Sequence, residues 1–496
     1  MKQLDTNKWP VVNSRNSVAA IDYVTMFNGR ALLYALGYSG VAFSFFLIFS
    51  ILLAWAGSST TLCLLLTHVG AATSLYVYWR LGRWGAAKFD CFGAALLFSS
   101  LAFRILAIVD LLLFGTRVQA IPPTVPIGDL AIYWLLKGET LTDIGVLLIV
   151  SSWRLSIGRQ IEKFSFIRNY RDISIRVAWL TYVLALFIDL ARITLGIKFG
   201  ALDQLSGLTF SFGVASIMFI AIRTENVGIR VSKALMLALP MVFLALGGGM
   251  KEQIFFPMVP AALLYWLGYR SLGSRALAIV CGFFILAVSQ MYIEYVRVET
   301  WQAERHESTM DLLTGFQKHL ETSSLVAGLD DISSRINMTT AHAITVSLAD
   351  VYGNEPLNVF GDIPASFIPR LFWPGKPIMQ PGAMQTARIY GLHGSISEIR
   401  SATAAGFSTE LYLGGSYFGW FFGAIIFGWL MAKAQKITYR YAFGFGHLGL
   451  SFVSVYWALR FDETAVVYAY TSIVFSMVYV LFISRAIRLF GLDKPD

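Results

Sequence analysis

Apolar runs of about 20 residues, the length that crosses a hydrocarbon core, recur from one end of the chain to the other. They fall at roughly 31–55, 60–79, 91–115, 139–153, 175–196, 204–222, 234–250, 254–269, 276–293, 406–432, 447–460 and 464–484. Only 14% of the residues are charged, against about 25% in a soluble domain. The pattern predicts an all-α polytopic membrane protein of about twelve transmembrane helices. The first thirty residues are polar and lack a short apolar core followed by a small-residue cleavage site, so no cleavable signal peptide is expected.

Basic residues sort the connections. Lys and Arg gather before the first run, at Arg80–Lys88, Arg154–Arg176, Arg223–Lys233, Arg270–Arg275 and Lys433–Arg440, and in the tail. These are alternate connections, and together they hold most of the chain's 39 basic residues. By the positive-inside rule they share the cytoplasmic face, with both termini on it. The net charge of +9 is then a topogenic signal facing anionic lipid, and a nucleic-acid partner is not expected. Three regions follow: residues 1–293 with nine spans and short loops, one large external (periplasmic) loop at 294–405, and residues 406–496 with three more spans. Long loops cross largely regardless of charge, so the basic residues of 294–405 are compatible with export. Cys63, Cys91 and Cys281 all lie in predicted spans, and none is placed to staple that loop.

The short connections carry little. The first external one, about Gly57 to Ser59, is too short for chemistry. Residues 116–140, with Pro122, Pro123 and Pro126, are expected to cover the outer face, and Gln160–Arg171 to lie along the inner surface. No internal repeat, inverted pair of broken segments or low-complexity tract is visible.

The external loop has a grammar of its own. Residues 301–322 read as an amphipathic helix, with Met310, Leu312, Leu313, Phe316 and Leu320 near helical spacing. A second helix is predicted from about Asp330 to Val351, with Arg335, Met338, Ala341/His342 and Thr345 on one face. Residues 363–377 follow, where Pro364, Pro369, Pro374 and Pro377 fix φ and remove donors, so neither helix interior nor central strand is expected. The rigid loop presents Arg370 and Lys376, and stiffly held cations suit an anion because little ordering entropy is lost on binding. A flexible return containing Gly391-Leu-His-Gly394 leads to the tenth span near Phe407. Helix, rigid loop and return are expected to form a cap with hinges.

Other charged positions have two readings each. Lys251 follows Gly247–Gly249 at the outer end of a span: it either snorkels to the interface or grips an anion. Arg460, beside Asp462 and Glu463, is either half of an ion pair or a phosphate ligand. Arg104 with Asp110 and Asp189 with Arg192 read the same way, the latter at the i, i+3 spacing of a local pair. Glu410, at the expected outer start of the tenth span, and His393, between glycines, are the general-base candidates. A carboxylate at a water–membrane boundary gains basicity from partial desolvation.

Pro369-Arg-Leu-Phe-Trp-Pro-Gly-Lys-Pro377, Arg335 upstream, Gly406-Phe-Ser-Thr-Glu-Leu-Tyr-Leu-Gly-Gly-Ser-Tyr-Phe-Gly419, and the Gly248–Glu252 turn together resemble the Wzy-type polymerases of oligosaccharide repeat units. The likeness is to the O-antigen polymerases in particular and covers about residues 245–425. It implies a metal-independent glycosyltransferase of GT-C-like fold in the bacterial inner membrane, using undecaprenyl-diphosphate-linked glycan as donor and acceptor. In that reading Arg335, Arg370, Lys376, Lys251 and Arg460 hold the diphosphate and Glu410 or His393 takes the acceptor proton. A flippase and a chain-length regulator would be partners. No carboxylate pair of the kind metal-dependent GT-C enzymes carry sits in the first external connection, and no His/Cys cluster has ligand spacing, so no metal or cofactor is expected. An O-antigen ligase or a flippase of the same lipids remains the alternative.

Overall fold

The computed structural model describes residues 29–81, 92–115, 131–157, 175–195, 201–222, 224, 226–246, 254–269, 271–296, 309–322, 338–368, 373, 406–441 and 465–489. Among these the chain is helical without strands. In order, α1 is Gly29–Trp55, α2 Thr60–Leu81, α3 Phe92–Phe114, α4 Ala131–Ile157, α5 Ile175–Leu195, α6 Ala201–Ile222 and α7 Val227–Leu246. A 3-10 turn, Phe256–Met258, leads into α8, Val259–Gly268; α9 is Leu272–Val296 and α10 Thr309–Thr322. Then come α11, Thr339–Tyr352; α12, Pro356–Phe360; α13, Asp362–Ser366; α14, Phe407–Tyr441; and α15, Val466–Leu489.

A helix coincides with every predicted span except 447–460, which lies outside the described residues. Among the described residues, five helices are long and apolar enough to cross a membrane: Leu33–Trp55, Thr60–Leu81, Ile132–Ile157, Val227–Leu246 and Phe407–Ile437. Much of their apolar surface faces outward, as lipid-facing helices require: Phe45, Trp55, Met236 and Phe418 are all exposed.

Among the described residues, three cores hold the helices. The first joins α1–α4 to α11, α12, α14 and α15 around Trp153, Phe92, Phe407 and Leu411. A second fills α5–α8 around Phe212, Phe219 and Met241, and reaches Val480 of α15. The third seats α10 on α7 and α9, with Phe316 edge-on to Tyr292 at 5.1 Å. The amphipathic reading of α10 holds: Leu312 and Phe316 are buried, and Leu320 at its end is exposed.

The helices around α4 have defined directions. Tyr78 meets Ser151 at 2.9 Å while His68 lies beside Glu139, so α2 and α4 run parallel. Gly93 abuts Trp153 while Arg104 reaches Glu139, so α3 runs antiparallel to α4. The Thr60, Phe114 and Ala131 ends therefore share one side.

Several expectations are corrected. The fourth span is longer than predicted, starting at Ala131, because Lys137 and Gly138, just ahead of the predicted start, depress its hydropathy without breaking the helix. The second helix of the large loop is not a cover over the bundle. Described from Thr339, α11 is buried on all sides from Thr339 through Ala349 except at Thr340 and Ala341, packed on α4 and α14. A helix made of Thr, Ala, Ile, Val and Leu with few charges has no face that needs water. Lastly, Pro364 sits inside the one-turn helix α13. The first turn has no intrahelical use for that N–H, so proline is tolerated there.

The tenth predicted span is also not one rod. Gly415 and Ser416 leave helical geometry, Ser416 at φ 54°. Leu411 packs against Gly419 and Gly423, contacts that a straight helix could not make. Residues 407–414 therefore run toward the Ala131 end of α4, with Ser408 at Gly145 and Tyr412 at Lys137. Residues 417–441 then run back alongside α4. On that return Trp420 donates to the Leu141 carbonyl at 3.0 Å, Ser152 to Ile425 at 2.7 Å and Trp153 to Gln435 at 2.6 Å.

Candidate functional site

Glu139 and Asp143 lie four residues apart on α4, one turn on the same face, and Arg104 of α3 reaches both. Its guanidinium contacts Glu139 and donates from Nε to Asp143 Oδ1 at 2.8 Å. His342 of α11 approaches Glu139 Oε1 with Nδ1 at 3.1 Å. His68 of α2 brings its Nδ1 to 3.8 Å from Glu139 Oε2, beyond hydrogen bonding, and its Nε2 is 3.3 Å from Thr339 Oγ1. Every one of these side chains is buried, Glu139 completely. At a rise of about 1.5 Å per residue, the cluster lies about 12–18 Å in from the Thr60, Phe114 and Ala131 ends.

A carboxylate only accepts, so the Nδ1 of His342 donates to Glu139, and in the neutral ring Nε2 then carries the lone pair. Among the described residues that Nε2 has no partner, although it is buried. It faces Gly406 (φ +78°), where an added Cβ would lie 2.6 Å from it. A buried polar atom left unpaired costs about 1–3 kcal/mol, so such atoms are kept for a reason. Two carboxylates, one guanidinium and two imidazoles make a site able to accept and hold a proton. Arg104 draws off the Coulombic cost of the carboxylates.

Nearer the Ala131 end, Lys137 donates to Asp350 Oδ2 at 2.8 Å and Oδ1 at 2.9 Å, and to Tyr412 Oη at 2.8 Å. Tyr412 in turn donates to Asp350 at 2.8 Å. This closed triad pins α4, α11 and the short arm of α14 to one another above the buried cluster.

Of the residues singled out from sequence, Glu410 is described. The chain reversal buries it within the bundle, where its carboxylate accepts the N–H of Val466, the first residue of α15. Negative charge at a helix N-terminus is favourable there. Lys251, Arg335, Arg370, Lys376, His393 and Arg460 lie outside the described residues. Arg104, read with Asp110 from sequence, engages Glu139 and Asp143. Sequence reading passed over Glu139, Asp143, Lys137 and His68, and treated His342 as one position on a helix face. The available signal was ionisable residues inside apolar runs, which usually face partners or cavities, with Glu139 and Asp143 at i, i+4. Among the described residues no group of His, Cys, Asp and Glu is arranged to hold a metal ion.

No curated protein and no solved structure matches the chain. A family model described as a domain of unknown function (DUF8712) matches residues 145–492, a range that includes α11 and α14 and begins just after Asp143. That match covers well over half of the 496 residues, so the chain belongs to the DUF8712 family.

Proposed function

We propose that the chain is a polymerase of undecaprenyl-diphosphate-linked oligosaccharide repeat units, acting at the outer half of a bacterial inner membrane. Its twelve-span, GT-C-like architecture with cytoplasmic termini belongs to the same reading. One observation carries it: the imidazole of His342, held through Nδ1 by Glu139 at 3.1 Å, with its other nitrogen unpartnered among the described residues. A carboxylate-oriented imidazole is well suited to take the proton of a hydroxyl. By the charge sorting of the connections, the cluster's side of the bundle is the exported one.

In the proposed reaction an acceptor sugar hydroxyl gives its proton to His342 Nε2 as its oxygen attacks the donor's anomeric carbon. The bond from that carbon to the diphosphate breaks, and undecaprenyl diphosphate leaves with the electron pair. Arg335, Arg370, Lys376, Lys251 and Arg460 would stabilise the leaving charge. Such pairing is worth about 4 kcal/mol at 4 Å in a medium of effective dielectric near 20 but about 1 in water, so a covered site is needed. Glu410 serves less well as base, since its carboxylate already takes the Val466 N–H.

The test is purified protein with lipid-linked repeat units alone. A ladder of products supports polymerisation. Turnover that requires a different acceptor marks a ligase, and movement of the lipid between leaflets without bond formation marks a flippase.

A further inference from the structure

Around Lys137 the chain gathers three tyrosines. The ammonium lies 4.7 Å from the ring centroid of Tyr412 and 5.4 Å from those of Tyr133 and Tyr417. Tyr133 comes one turn before Lys137 on α4, and Tyr417 comes directly after the reversal at Ser416. Tyr412 and Tyr417 meet edge to face at 5.1 Å. Tyr412 is spent on the triad, but Tyr133 is 50% and Tyr417 53% exposed. Beside them the Lys137–Asp350 pair keeps part of its surface open, 11% and 22% of the two side chains.

We infer that this cluster, with Tyr133 and Tyr417 as platforms and Lys137 and Asp350 as the polar edge, binds an uncharged sugar residue of a glycan. The inference rests on the glycosyl-transfer reading and adds a glycan subsite to it. A pyranose has an apolar C–H face that lies on an aromatic ring and vicinal hydroxyls that need a donor and an acceptor side by side. Exposed tyrosine faces beside an ammonium and a carboxylate held 2.8 Å apart supply both. The charges select against other ligands. Asp350 neutralises Lys137, so the pair has no net attraction for a phosphate. The rings already surround an internal ammonium, so the cage is closed to a cationic ligand. Interfacial tyrosines are common anchors in membranes, but anchoring does not require three rings to converge on one ion pair. The cluster stands at the Ala131 end, about two turns of α4 or less from Glu139, so a sugar held there lies over His342.

The experiment is saturation-transfer NMR on the full chain in detergent, with neutral hexose and N-acetylhexosamine tetrasaccharides lacking lipid and diphosphate, alongside inorganic pyrophosphate. The expected result is transfer to at least one neutral glycan, weakened about tenfold or more in Tyr133→Ala/Tyr417→Ala, with no competition from pyrophosphate. Neither tyrosine belongs to the hydrogen-bonded triad, so the double variant should fold, checked by an unchanged melting temperature. Should it melt early, Tyr133→Leu/Tyr417→Leu keeps the bulk without the platform. Binding of no neutral glycan, binding indifferent to both pairs of substitutions, or displacement by pyrophosphate would each overturn the inference. Because no turnover is read, the two proposals fail separately. Tyrosine-dependent glycan binding without polymerisation removes the polymerase alone. Polymerisation with an unchanged KM in a tyrosine variant removes the subsite alone.

Discussion

Phe407 and Phe427 meet with their rings tilted and their centroids 4.5 Å apart, although a straight helix would separate residues so far apart in sequence by about 30 Å. The reversal at Gly415 and Ser416 brings them together. It turns an apolar run that reads as a single span into a short inserted arm and a long return. Both arms press on α4, and the short one carries Glu410 and Tyr412 into the interior. The polar chemistry of the bundle is thus assembled by a turn inside a hydrophobic segment.

Glu410 gives a direct test of what that arm does. As acceptor for the Val466 N–H, it keeps a usable oxygen in Glu410→Gln and loses it in Glu410→Ala. The alanine variant should lose about 1–2 kcal/mol of stability, the worth of a helix cap, and the glutamine variant much less. Polymer formation should survive in Glu410→Gln. A folded but inactive glutamine variant would return Glu410 to the role of base.

The Arg104 guanidinium holds two carboxylates that water does not reach. In Arg104→Ala both are left uncompensated, which typically costs about 3–5 kcal/mol. The variant should be depleted from membranes and melt early in detergent. Adding Glu139→Gln and Asp143→Asn to it should recover much of the loss, because the deficit is charge rather than shape. If the triple variant were no better than Arg104→Ala, packing would be what Arg104 supplies.

His342 and Glu139 act as a unit in the proposed reaction. His342→Gln should lower turnover by a factor of about 10²–10⁴, the usual range for a general base, with the protein still in the membrane. Glu139→Gln should fall in the same direction. The double variant should be little worse than His342→Gln, since groups sharing one step are not additive. Multiplying losses would mean the two side chains do separate jobs.

Arg370 is the cation whose loss should be felt in product length. Arg370→Ala removes one proposed contact to the leaving diphosphate and should abolish long polymer while the protein stays in the membrane. Gel profiles of the polysaccharide would show this, and a ladder of normal length and amount would dismiss the role.

Membrane residence and helix placement were legible because hydropathy sums over many residues, and single errors average out. Sequence even located the helix carrying His342 and the amphipathic face of α10. The reversal was hidden because residues 407–432 are apolar on both sides of the turn, so nothing changes in hydropathy where the direction does; Gly414-Gly415 was the one local cue. The cluster was hidden for a different reason. His68, Arg104 and Glu139 come from three predicted spans and His342 from the predicted external loop, and nothing local in the sequence draws the four together. Only Glu139 and Asp143, on one face of α4, carry a spacing that could have drawn attention.

Glycines separate close packing from lipid exposure, and they allow a test that needs no substrate. A Cβ on Gly428 would lie 2.2 Å from the Ile149 carbonyl oxygen and 3.0 Å from the Ser152 Cβ. The first of these atoms is backbone of α4 and cannot rotate away. Gly428→Ala must therefore push the long arm of α14 off α4, at an overpacking cost of about 1–3 kcal/mol. It would also loosen the hydrogen bonds from Ser152 to Ile425 and from Trp153 to Gln435. Gly40 in α1 has nothing within 4 Å of an added Cβ, so Gly40→Ala should be neutral or gain up to about 1 kcal/mol from helix propensity. Melting curves of the two variants in the same detergent should shift in opposite directions or differ clearly. Equal shifts would mean that α14 does not approach α4 as closely as the structure places it, and the short arm, Tyr412 and the Lys137–Asp350 pair would lose their common support.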